Sequence, residues 1–150
     1  MNRTRRNTIK FSSLGALLAS MPLSIKTAFA EWPEAPFATD DYQTALSGVV
    51  GDNTLEESGV SIDAPEIASN GATVPITISS DLPNIKTINI FVEKNPRPYI
   101  STFFMNDKID SSVAVRVKMR ETSDIIAIVE NESGFHVAKQ SVKVTAGGCA

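Results

Sequence analysis

The chain ends VKVTAGGCA, and Cys149 is the only cysteine among its 150 residues. A structural cysteine normally sits inside a strand or helix. This one follows Gly147 and Gly148, which carry no side chain and accept almost any backbone conformation. Two glycines before one thiol make a swivel. The thiolate is the nucleophile, and its ordinary pKa of about 8.5 leaves an exposed thiol slow until something activates it. Sulfur–sulfur bonds form and break by thiolate exchange, so one such cysteine is able to hold and release sulfur species. From Val144 a fully extended tail would reach about 20 Å, at roughly 3.3–3.6 Å per residue. That suits a carrier whose group enters the active site of another protein. Two plainer readings stand beside it: a frayed terminus, or an exported binding and assembly module joined through Cys149 to a fixed partner cysteine, since one cysteine has no internal mate.

Other chemistry is sparse. His136 is the only histidine, inside the strand pattern FHVAKQ, and one His with one Cys makes no metal-ligand set. No metal or organic cofactor is expected. No phosphate-binding loop is present. A serine triad would need His136 as its base, without a supporting motif, and a cysteine enzyme would need a base beside Cys149. The plain reading of His136 is an exposed strand residue. The adjacent acids Asp40-Asp41 and Glu56-Glu57 read as helix caps or solvated faces, not as a glycosidase pair across a cleft. Arg116, Lys118 and Arg120 recur at period two on one strand. They read as a solvent-facing row that blocks edge pairing, or as a docking row for an acidic partner or an anionic adduct.

Stepping outward, the first thirty residues carry Arg3, Arg5, Arg6, Lys10 and Lys26 and no acid. A short apolar run, FSSLGALLASMPLSI, and AFA at Ala28–Ala30 complete a secretory leader that is too short to span a membrane. Paired Arg5-Arg6 with Ile9 and Lys10 resembles a twin-arginine signal, with Thr8 where that pattern usually has Phe. Cleavage after Ala30 would leave nine Lys and Arg against all seventeen acids, a net charge of −8. That argues against nucleic acid or an anionic membrane as partner. The expected location is the periplasm.

The remainder reads as one domain over 31–145 and a carrier tail over 146–150. EWPEAPFA is expected to be extended. TDDYQTALSG predicts a short helix with Thr39 or Asp40 as N-cap and Gly48 closing it. Seven strand patterns follow. ATVPITIS places Val74, Ile76 and Ile78 on one face, and KTINIFVE does the same for Ile88, Ile90 and Val92. SSVAVRVKM turns Val113, Val115, Val117 and Met119 inward. GVSIDAP, YISTFFM, SDIIAIVE and FHVAKQSVKVTA complete the set, with turn signals such as SNG, SDLPN, KNPRP and ENESG between them. Such spacing predicts an all-β, antiparallel sandwich of about seven strands.

VKVTAGGCA resembles the C-terminal signature of the SoxY family, the sulfur-carrier subunits of the thiosulfate-oxidising Sox complex. DAPEIASNGATVPITI (Asp63–Ile78), RVKM (Arg116–Met119) and the leader resemble the same family. The resemblance implies an immunoglobulin-like sandwich that pairs with SoxZ and holds its substrate covalently, here on Cys149, with Gly147 and Gly148 as swivel. It implies loading of thiosulfate by the cytochrome enzyme SoxAX and removal of sulfate by SoxB. A sulfane dehydrogenase would oxidise the remaining sulfur. The carrier itself would catalyse none of these steps. The family pattern has Gly-Gly after the cysteine, whereas Ala150 follows Cys149 here. A terminal carboxylate that close to the sulfur should disfavour thiolate and slow loading, which an added glycine would relieve.

Overall fold

The computed structural model describes residues 34–106 and 110–146. Two short helices open the described chain, α1 (Glu34–Ala38) and α2 (Tyr42–Val50). The first corrects the expectation of an extended EWPEAPFA. Pro36 lies in the first turn of α1, where a missing N–H costs nothing because that group has no helical partner, and its side chain is buried. In α2 the N-cap is Asp41, not Thr39 or Asp40: its Oδ1 accepts the Thr44 N–H at 2.7 Å. Thr39 instead accepts the Asp41 N–H at 3.1 Å. The helix also runs through Gly48 to Val50 and closes at Gly51, whose φ of 62° favours a residue without a side chain. Gly48 lies inside the helix, where Pro36 packs on it: a Cβ there would stand 3.0 Å from Pro36 Cγ.

Nine strands follow: β1 (Leu55–Glu56), β2 (Val60–Asp63), β3 (Ile67–Ala68), β4 (Val74–Ser80), β5 (Thr87–Val92), β6 (Tyr99–Phe104), β7 (Ser112–Val117), β8 (Ser123–Glu130) and β9 (Phe135–Val144). The seven longer ones match the seven sequence patterns. β1 and β3 are two-residue bridges. The large sheet runs β1-β9-β8-β5-β6, with β3 also on β9, and the small sheet runs β2-β4-β7. All pairings are antiparallel except those of β1 and β3 with β9, which are parallel.

Side-chain period explains the layering. β4 and β7 alternate, so each turns one face to the core. Val74, Ile76, Ile78, Val117 and Met119 thereby meet Ile88, Ile90, Val92, Ile125, Ala127 and Val129 of the large sheet. β5 and β8 instead read almost continuously apolar, because both their faces are covered. Their second face carries Phe91, Ile126 and Ile128, packed with Ala45 and Val50 of α2 and with Tyr99. Tyr99 stacks on Phe91 at 4.8 Å between centroids, and Phe37 of α1 lies 4.1 Å from Tyr99. The buried Tyr99 hydroxyl donates to Asn89 Oδ1 at 2.8 Å, so neither polar group is orphaned. The layers are therefore helices, large sheet and small sheet.

Candidate functional site

β9 is the longest strand, and its two ends are held differently. At its start, β1 pairs Leu55 with Phe135 and Glu56 with His136. At its end, β3 pairs Ile67 with Lys143 and Ala68 with Val144. Between them the chain leaves for the small sheet as β2, and Gln140 reaches across to donate to the Ala64 carbonyl at 2.7 Å.

The start is closed. His136 is 4 % exposed, which corrects its reading as an exposed strand residue. Strand alternation alone does not show that β1 will cover this face. Ser58 Oγ lies 3.2 Å from Nδ1, and Ser133 Oγ lies 3.2 Å from Nε2. The Ser133 hydroxyl already donates to Asn131 Oδ1 at 2.7 Å, so Nε2 is the donor to Ser133, and Nδ1 pairs with the Ser58 hydroxyl. Glu56 stands 3.8 Å from Nδ1. Asn131 Oδ1 also accepts the Ser133 and Gly134 N–H groups and so shapes the turn.

The end is open, and it is where the tail departs. Lys143 N–H donates to the Glu66 carbonyl at 2.9 Å and Thr145 N–H to the Ala68 carbonyl at 3.0 Å. Gly71 N–H donates to the Ala146 carbonyl at 2.9 Å, and Met119 N–H donates to Gly71 at 2.7 Å. Val144 N–H is satisfied by Thr122 Oγ1 at 3.0 Å. The chain is thus pinned as far as Ala146, two residues beyond β9. SNG (Ser69–Gly71), a turn signal inside the segment Asp63–Ile78, does more here than separate strands. Here Asn70 Oδ1 accepts the Ala72 N–H at 2.9 Å, and the turn so made aims Gly71 at Ala146.

Gly147, Gly148 and Cys149 lie outside the described residues, as does the leader. Chain length still bounds the geometry. Two residues lie between Ala146 and Cys149, so three Cα–Cα steps place the Cys149 Cα at most about 11 Å from Ala146, about three fifths of the five-step reach from Val144. His136 lies eight residues before Val144, about 26 Å along the strand. It is too far away to serve Cys149 as a base. Among the described residues no three His, Cys, Asp or Glu side chains group as metal ligands. No described helix is long and apolar enough to cross a membrane.

A family model described as "Sulfur oxidation protein SoxY" matches residues 46–149. The solved structure of the sulfur carrier protein SoxY from Chlorobium limicola f thiosulfatophilum is similar at 32% identity and a TM-score of 0.63, covering 69% of this chain and 94% of that one. A superoxide reductase (neelaredoxin) from Ignicoccus hospitalis shares the fold at 19% identity and a TM-score of 0.52, covering 58% of this chain and 80% of that one. No curated protein matches the chain. The layered β fold, mostly strand with two short helices, and the family match together define a sulfur carrier of sulfur oxidation. The chain belongs to the SoxY family.

Proposed function

We propose that this protein is a periplasmic, non-enzymatic carrier of thiosulfate-derived sulfur, held covalently on Cys149. The observation that carries this reading is the extent of the family match, which runs to residue 149 and so takes in Gly147, Gly148 and Cys149. The pinning of the chain up to Ala146 supports it: a firm base followed by two glycines and a thiol is a short arm on a rigid body. The distance of His136 supports a thiol that depends on other proteins for activation. SoxZ would be the pairing partner. SoxAX would load thiosulfate, SoxB would release sulfate, and a sulfane dehydrogenase would act where one exists. Export would follow the twin-arginine route.

Intact-protein mass spectrometry of the exported protein, purified without reductant from cells growing on thiosulfate, tests this. Added masses matching thiosulfate or sulfur atoms are expected, lost on reduction and absent in Cys149→Ser. A clean mass, or only a disulfide to one partner protein, would replace the carrier with an exported assembly module.

A further inference from the structure

The Arg116–Lys118–Arg120 row is not isolated. Eight Lys and Arg residues fall among the described residues. Lys86 and Lys139 are ion-paired, the first to Glu130 and the second to Glu93 and Asp124. The other six are Lys94, Arg97, Arg116, Lys118, Arg120 and Lys143, all exposed and without an ion pair among the described residues.

All six lie toward the end of the sandwich from which the tail leaves, Arg116, Lys118 and Arg120 on the outer side of the small sheet and Lys143 on the outer side of the large one. Lys94 and Arg97 belong to the β5–β6 turn. That turn is clamped to the end of β7: Asn95 Nδ2 donates to the Lys118 carbonyl at 2.6 Å, and Asn95 Oδ1 accepts the Arg120 N–H at 3.1 Å. Met119, between those two cations, is linked through Gly71 to Ala146. Two strand spacings separate them, about 10 Å. Lys143 is the next-to-last residue of β9 itself. Of the acids toward this end, Glu93 and Asp124 are held by Lys139, and Lys94 also lies near Asp124, leaving Asp63, Glu66 and Glu121 against six cations without an ion pair among the described residues. At the other end stand Asp81, Asp110, Glu130 and Glu132. A chain with a large excess of acid outside its leader therefore gathers its free positive charge around the base of the tail.

The short arm gives this consequence. A cysteine whose Cα lies at most about 11 Å from Ala146 brings its thiol into a buried active site only if the mouth of that site comes up against this end. Ile67, 60% exposed and opposite Lys143 in the β3–β9 bridge, adds an apolar contact inside the charged surround. We propose that these six cations form a docking collar for the acidic rims of the enzymes that act on sulfur carried by Cys149. This rests on the carrier reading above. Opposite charge steers encounter and raises association rates by about 10–1,000-fold at low salt, without the tight burial that would trap a carrier on one partner. It is screened beyond about 8 Å at physiological ionic strength.

The test uses the full protein loaded chemically. Cys149 thiolate attacks an inner sulfur of tetrathionate, forming a cysteine S-thiosulfonate and releasing thiosulfate as the leaving group. Sulfate release by the SoxB-type hydrolase is then measured for wild type, for Lys118→Glu/Arg120→Glu, and for Lys86→Glu as a control at the opposite end. At low salt the double variant is expected to lose about 10-fold in kcat/KM through KM, with kcat unchanged, and the control to match wild type. High salt should bring wild type down to the variant. Unloaded Cys149→Ser protein should inhibit competitively, and more weakly when it also carries the two reversals. Equal kcat/KM in wild type and variant without salt dependence would overturn the collar and leave the carrier standing. So would a change in kcat alone, or inhibition indifferent to the reversals, which would place the cations on the cargo. If loaded wild type released no sulfate, the carrier reading would fall and the collar with it.

Discussion

β9 is held at each end by a parallel two-residue bridge, yet the two ends do opposite things. At its start, the bridge seals a histidine between two serines. At its end, the bridge leads the chain out past exposed cations. The start has three hydroxyl or amide side chains, Ser58, Ser133 and Asn131, committed to one ring and one turn. The end is built mainly from backbone hydrogen bonds to Glu66, Ala68 and Gly71, with the Thr122 and Thr145 hydroxyls adding to them and Lys143 and Ile67 exposed. Side-chain networks specify one closed arrangement. Backbone pairing fixes where a strand stops while leaving its side chains available to a partner.

That contrast is open to experiment. The largest expected effect is at the closed end. His136→Ala should cost about 2 kcal/mol, because Ser58 and Ser133 lose their buried partner, and sulfur loading on Cys149 should be unchanged. Urea melts and intact mass read the two quantities separately. Loss of loading in a protein of normal stability would instead make His136 part of the chemistry. Next, Gly59→Ala at the entry to β2 should cost about 1–2 kcal/mol. Its φ is +67°, and a Cβ would stand 2.5 Å from Leu82 Cδ2. An unchanged melting midpoint would show that Leu82 yields freely.

At the open end effects on stability should be smaller. Thr122→Val removes the acceptor for Val144 N–H at an exposed site, for about 0.5–1 kcal/mol. Hydrogen exchange at Val144 should rise while the β8 amides stay protected, and equal exchange at both would deny that the tail base is a separate unit. The smallest effect belongs to the Lys139–Asp124 pair, 2.9 Å apart and partly exposed. The Lys139 hydrogen bond holds the Asp124 carboxyl below its ordinary range, and the same bond holds Lys139 above its own. A depressed acid contributes stability above its unfolded pKa and loses it as pH falls through the folded value. A raised lysine contributes below its unfolded pKa and loses it as pH rises through the folded one. Lys139→Ala should therefore cost under about 0.5 kcal/mol at neutral pH, and the difference should be lost in acid, once Asp124 is protonated below its ordinary range, and in strong base, once Lys139 is deprotonated above its own. A difference that persisted in acid would point to packing by the lysine stem.

Much of the fold was legible because alternation is local. Val74, Ile76 and Ile78 share a face whatever else the chain does, as do Val113, Val115 and Val117. The errors came where a neighbour decides. Thr39, Asp40 and Asp41 are all able to cap a helix, and only the position of Thr44 selects Asp41. Gly48 looks like a stop, yet the helix closes at Gly51 and Gly48 instead gives Pro36 room to pack. His136 looks solvent-facing until β1 and Ser58 cover it.

The sequence by itself determined the strand set, the turn chemistry, the lone thiol behind two glycines and the row of three cations, since each follows from residue type and short-range spacing. Only the tertiary structure decided that the backbone is hydrogen-bonded as far as Ala146, that His136 is sealed about 26 Å from Val144 along β9, and that Lys94, Arg97 and Lys143 lie toward the same end of the sandwich as that row. Those are relations between segments 20 to 80 positions apart in the chain, set by which strands pair and in what register, and no local pattern carries that information.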